Sequence, residues 1–78
     1  MFMIVGEGCP VCKRMEKILK DEGLDVRCEN IDDMDIEEVE TVMRSGIKSL
    51  PILCTKDGMI GVHDMGKTKF LELVNANI

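Results

Sequence analysis

Two cysteines spaced by two residues, Cys9-Pro10-Val11-Cys12, stand where a short apolar run gives way to an amphipathic stretch. The run Phe2-Met3-Ile4-Val5 predicts a buried strand, and Gly6-Glu7-Gly8 predicts a turn after it. Pro10 suits the first position of a helix, where a missing N–H costs nothing. Cys9 then becomes the N-cap residue, its sulfur facing the unpaired N–H groups of the first turn. A thiol so placed is biased toward thiolate, and Cys12, one turn on, is within reach for a disulfide. A cysteine pair at such a junction points to thiol–disulfide exchange.

The rest of the chain continues the alternation of strand and helix. From Pro10 to about Lys20, Val11, Met15, Ile18 and Leu19 form a core-facing helical stripe. Gly23 suits the left-handed position that ends a helix. Leu24, Val26 and Cys28 alternate with Asp25, Arg27 and Glu29, which predicts a half-exposed strand. A second helix is expected from Asp35, with Glu38 reaching back to the cap and Ile36, Val39, Val42 and Met43 on its apolar side. Gly46 closes it. Ile52-Leu53-Cys54 and Met59-Ile60-Gly61-Val62 flank Lys56-Asp57-Gly58, a strong hairpin signal. Asp64 is the expected cap of a third helix, with Phe70, Leu71, Val74 and Ile78 facing inward. One compact α/β domain over residues 1–78 follows, with no repeat or linker.

Composition narrows the classes. The chain has 78 residues, 45% hydrophobic and 32% charged, the make-up of a small globular domain. With no Trp or Tyr and only Phe2 and Phe70, its core is aliphatic, and the seven Met residues read as gap-fillers. Net charge is −5. The acids cluster from Glu29 to Glu40, and Lys13, Arg14, Lys17 and Lys20 lie on the first helix; both runs read as solvated faces. No basic patch is interleaved with aromatics, which argues against nucleic acid. The first apolar run is too short for a signal peptide or a membrane span, so a cytoplasmic setting is expected; the chain is also expected to be a monomer. In a reducing compartment, four cysteines speak for redox or metal chemistry rather than structural bridges.

On Cys9-Pro10-Val11-Cys12, Ser49-Leu50-Pro51 and Gly61-Val62-His63-Asp64, the chain resembles a glutaredoxin over essentially its whole length. The resemblance implies a thioredoxin-like fold: a mixed four-stranded sheet of order 2-1-3-4 with three helices on its two faces. It implies that Cys9 attacks and Cys12 resolves, and that Pro51 is a cis-proline beside them, although X-Pro bonds are trans by default. Leu50, Pro51, Gly61 and Asp64 are then the substrate-binding residues, with the Leu50 backbone free to pair with an extended substrate. Pro10, Glu7 and Lys13 cap the helix and tune the thiol. The implied activity is reduction of protein or small-molecule disulfides. No cofactor is bound, and electrons come from glutathione or a flavin-dependent, thioredoxin-reductase-type enzyme. Three departures weaken glutathione recognition: Glu7-Gly8 where a basic residue is usual, Val11 for an aromatic, and Val62 for the second glycine of a Gly-Gly pair.

Other patterns carry less. Gly61 to Thr68 matches a phosphate-binding loop, but only ten residues follow and Asp64 would face the phosphates. Gly6-x-Gly8 lacks the third glycine of a dinucleotide fingerprint. A metal- or iron–sulfur-binding module using the same cysteines is the alternative function; zinc usually needs a second close pair of Cys or His, which the sequence lacks. A cluster shared between two chains, with Cys9 and glutathione as ligands, is known among glutaredoxins. Cys28 and Cys54 read as buried small hydrophobes, separated by roughly 9.6 Å across the first strand. His63 reads as an exposed loop residue. Lys67 and Lys69 open the third helix at the unfavourable end of its dipole; they read as an ordinary solvated face, with binding of an anionic partner group as the alternative.

Overall fold

The computed structural model describes residues 1–78. Strand β1 (Phe2–Val5) leads to helix α1 (Pro10–Asp21), strand β2 (Arg27–Asn30), a short 3-10 turn, helix α2 (Ile36–Arg44), strands β3 (Ile52–Thr55) and β4 (Gly58–Gly61), and helix α3 (Lys67–Ala76). The sheet order is β2-β1-β3-β4. β1 runs parallel to β2 and antiparallel to β3, and β3 pairs antiparallel with β4. This is the mixed sheet that the resemblance implied.

The alternation of side chains along the central strands divides the interior in two. Met3, Val5 and Leu53 face one side, where they pack with Met15 and Leu19 of α1 and Phe70 and Val74 of α3. Ile4, Ile52 and Cys54 face the other, covered by Val42 of α2. α1 and α3 therefore share one face of the sheet while α2 holds the other alone. The larger cluster sits beneath the Cys9–Cys12 helix and makes its N-terminus a fixed platform.

The end of α1 follows from Gly23, whose φ of +66° is open to glycine without strain. It lets Leu24 N–H donate to Leu19 O at 2.9 Å and Gly23 N–H to Lys20 O at 3.1 Å, the paired bonds that close a helix C-terminus. Gly46, at φ +80°, ends α2. The β3–β4 hairpin turns on Lys56-Asp57, with Thr55 paired to Gly58.

Several expectations are corrected. β2 begins at Arg27, so Leu24 and Val26 precede it, and Cys28 is exposed on this edge strand rather than buried. Asp35 is the N-cap of α2 but its side chain makes no capping bond, and the Glu38 return is absent. On α2 only Val42 is buried; Ile36 and Met43 remain 77% and 74% exposed. A nine-residue helix lying alone on its face can turn only a narrow stripe onto the sheet. α3 starts two residues later than an Asp64 cap requires, with Gly66 as N-cap, because residues 62 to 65 form a separate turn closed by Met65 N–H to Val62 O. Leu73, not Leu71, joins the core, and Ile78 is exposed.

Phe70 fills the centre of the larger cluster, so Phe70→Ala lowers the unfolding free energy by about 3–5 kcal/mol. Met43→Lys changes it by less than about 0.5 kcal/mol, as for other exposed positions. Urea denaturation of the two variants checks both; a Met43→Lys loss comparable to that of Phe70→Ala would contradict the placement of α2.

Candidate functional site

Cys9 caps α1 in extended backbone geometry, with Pro10 following as the first helical residue. Its sulfur accepts the Cys12 N–H at 3.1 Å. Of the N–H groups of the first turn, that of Val11 makes no such bond. The helix N-terminus thus places one donor and the positive end of its dipole on the Cys9 sulfur. The sulfurs of Cys9 and Cys12 are joined as a disulfide, with Cα atoms 5.2 Å apart, inside the usual span for such a bridge. Their surroundings differ. Cys9 is partly open to solvent, whereas Cys12 is 1% exposed within the α1–α3 core.

The opposite wall comes from the segment before β3. The Leu50–Pro51 peptide bond is cis. Leu50 O lies 3.7 Å from Cys9 Sγ, and Pro51 O accepts the Val62 N–H at 3.2 Å, tying the β4–α3 turn to this wall. Gly6 makes the close approach: a Cβ there would lie 2.7 Å from Leu50 Cδ1. Leu50 and Pro51 are therefore beside the cysteines. Gly61 and Asp64 line a neighbouring cavity of about 480 Å³, shared with Lys48, Lys69 and His63. The side chain of Leu50 also borders an apolar groove of about 460 Å³ between α2 and β3, formed with Val42, Met43, Ile47 and Ile52.

Val62, counted among the departures from the glutathione-using pattern, is fully buried in the core. Its side chain does not line the neighbouring cavity. Glu7 is exposed in the turn before Cys9, and Lys13 is exposed on α1; neither forms an ion pair. Of Lys67 and Lys69, both exposed, Lys69 lines the cavity with Asp64, and Lys67 does not.

Two contributors were not foreseen. Lys48 enters the cavity from the loop after α2, which periodicity alone does not place. His63, exposed as expected, sets its Nδ1 2.9 Å from Leu50 O, the same oxygen that Cys9 Sγ approaches. A loop-to-loop contact of this kind leaves no local sequence signal. No group of three His, Cys, Asp or Glu side chains converges in the chain.

The remaining cysteines are single thiols on separate strands, Cys28 exposed and Cys54 buried. Desolvation, then the Glu16 carboxylate, raises the Cys28 pKa. Desolvation followed by Glu29 raises that of Cys54, against a smaller opposing effect of the N-terminal ammonium. Since the thiolate is the reactive form, both lag a free thiol as pH rises. In the reduced protein, Cys9 is alkylated first and at the lowest pH, because the helix N-terminus favours its thiolate. Cys28 follows only as pH climbs past the usual thiol range, and Cys54 reacts on unfolding. Pulse alkylation with mass mapping checks this order; Cys28 reacting ahead of Cys9 near neutrality would contradict it.

The glutaredoxin family model matches residues 1–60, from β1 into β4. Neither the curated proteins nor the solved structures compared with this chain gave a match. The matched stretch carries the cysteine pair and the Leu50–Pro51 wall, and the sheet order is that of the thioredoxin-like fold. The chain belongs to the glutaredoxin family of thiol–disulfide oxidoreductases.

Proposed function

We propose that this protein reduces disulfides, protein disulfides foremost, by a dithiol mechanism in which Cys9 attacks and Cys12 resolves. The observation that carries the reading is the asymmetry of the pair. Cys9 is the open sulfur and receives the Cys12 N–H at 3.1 Å, while Cys12 is sealed in the core. Cys9 thiolate attacks one sulfur of the substrate, breaking its S–S bond and releasing a substrate thiolate that takes a proton from solvent. Cys12 then gives up its proton and attacks Cys9 Sγ, releasing the second substrate thiol. Two electrons have passed to the substrate, and the Cys9–Cys12 disulfide remains.

Two features favour a polypeptide substrate. The cis Leu50–Pro51 segment presents backbone beside the attacking sulfur, where an extended chain can pair by strand addition. The apolar groove bordered by Leu50 and Ile52 continues from that point and offers side-chain anchoring. No resident cofactor enters the cycle. Glutathione or a flavin-dependent reductase returns the electrons, in keeping with a reducing, cytoplasmic setting. Lys48 and Lys69 suit the carboxylates of glutathione, whereas the exposed Glu7 beside Cys9 opposes them. The alternative, a metal-binding module, lacks a third ligand near the pair within one chain.

Cys9→Ser abolishes disulfide reduction, whereas Cys12→Ser accumulates a stable mixed disulfide through Cys9. Mass spectrometry of the trapped species tests the roles, and substantial turnover by Cys9→Ser would refute them. With glutathione and its reductase as the electron source, wild-type turnover is slow beside that with a thioredoxin-reductase-type enzyme. Glu7→Lys then raises the glutathione-dependent rate about two- to fivefold. A Glu7→Lys rate equal to wild type would remove charge as the cause.

A further inference from the structure

We propose that His63 is a positioning residue for Cys9, lowering the pKa of the attacking thiol through a hydrogen bond to the Leu50 carbonyl. The proposal rests on Cys9 being the attacking sulfur. Leu50 O is approached from two sides, by His63 Nδ1 at 2.9 Å and by Cys9 Sγ at 3.7 Å. A carbonyl oxygen only accepts, so the hydrogen between His63 and Leu50 belongs to Nδ1.

The state of Cys9 decides what that oxygen does. When the disulfide is reduced and Cys9 is a thiol, its S–H can donate to Leu50 O, which favours the neutral form. When Cys9 is a thiolate, its charge faces the negative end of the carbonyl dipole at close range, which disfavours the charged form. The N–H of His63 works against both effects. It takes one of the two lone pairs of the oxygen that would hold the thiol hydrogen, which weakens that acceptor, and it offsets the negative end of the carbonyl dipole that faces the sulfur. His63 thus acts from the Leu50 side in the same sense as the Cys12 N–H acts from the helix side.

The charged groups around this point belong to every neighbouring element. Glu7 lies in the β1–α1 turn and Lys13 on α1, while Lys48, Asp64 and Lys69 share the cavity with His63. None of them is ion-paired to another or bonded to Leu50 O, so the His63 bond is the one side-chain hydrogen bond to that oxygen from a group other than Cys9. His63 is itself exposed, and its removal leaves the core intact.

The test is the pH profile of Cys9 alkylation in the reduced full-length protein, followed site by site. His63→Ala moves the profile to higher pH and slows Cys9 about threefold below its midpoint, with the high-pH plateau unchanged. His63→Asn, which returns an N–H close to the Nδ1 position, restores the wild-type profile. An unmoved His63→Ala profile overturns the proposal, as does a shift that His63→Asn fails to reverse. A change of plateau without a change of midpoint also overturns it, since that reports access to the sulfur rather than its charge. Because alkylation needs no substrate or reductase, this result stands apart from the Cys9→Ser turnover test of the catalytic roles.

Discussion

The hydrogen bond from Cys12 N–H to Cys9 Sγ links the helix to the chemistry. A helix begins with N–H groups that lack partners, and one of them here is satisfied by the sulfur that must become a thiolate. The same contact caps α1 and charges the site, so the two demands cannot be separated. Pro10 supports it by entering the first turn without a donor of its own. The platform beneath is the cluster of Met3, Met15, Leu53, Phe70 and Val74, which holds α1 and α3 against one face of the sheet. If that packing loosens, the cap loosens with it.

The other wall is built from segments distant in sequence. Leu50 approaches Gly6 and Cys9, and Pro51 is tied to Val62, so the turn before α1, the segment before β3 and the turn after β4 meet at one sulfur. All three adjoin the strand ends nearest the pair, where backbone groups not needed for the sheet are free to serve the site. The division of helices between the faces also matters. α1 and α3 provide the rigid support, whereas α2 covers its face with only Val42 fully buried. The result is an apolar groove next to Leu50 with exposed Met43 at its border and acidic residues along the rest of the helix.

The cap, the core stripe of α1 and the hairpin were legible because each is a local pattern: a proline after a cysteine, a periodicity of 3.6, and Asp-Gly between apolar runs. The sheet order and the cis bond were legible only through family resemblance, since neither leaves a mark in the spacing of residues. α2 was misread where periodicity was taken as burial: Ile36 and Met43 repeat correctly for a helix face, but the sheet does not reach them. Cys28 was misread for the related reason that an edge strand leaves one side open. Val62 stands where the family pattern has a second glycine; its side chain is in the core and its N–H takes part in the wall. The entry of Lys48 into the cavity and the contact of His63 with Leu50 left no mark in the sequence, because both are set by loops meeting in space.

The cap also bears on which redox state the fold prefers. In the disulfide, the Cys12 N–H meets a neutral sulfur; after reduction it meets a thiolate, and a hydrogen bond to an ionised acceptor is roughly twice as strong as a neutral one. The helix dipole acts in the same direction, because it favours negative charge at its N-terminus. Glu7, exposed in the preceding turn, acts against both, but across solvent that screens it. The net effect of the folded scaffold is to stabilise the dithiol more than an unstructured pair of cysteines would be. A carrier whose reduced form is stabilised gives up its electrons less readily and leaves less of the driving force to the reductant. The reactivity of Cys9 and the poise of the pair therefore share this contact, and a substitution at the cap changes both together.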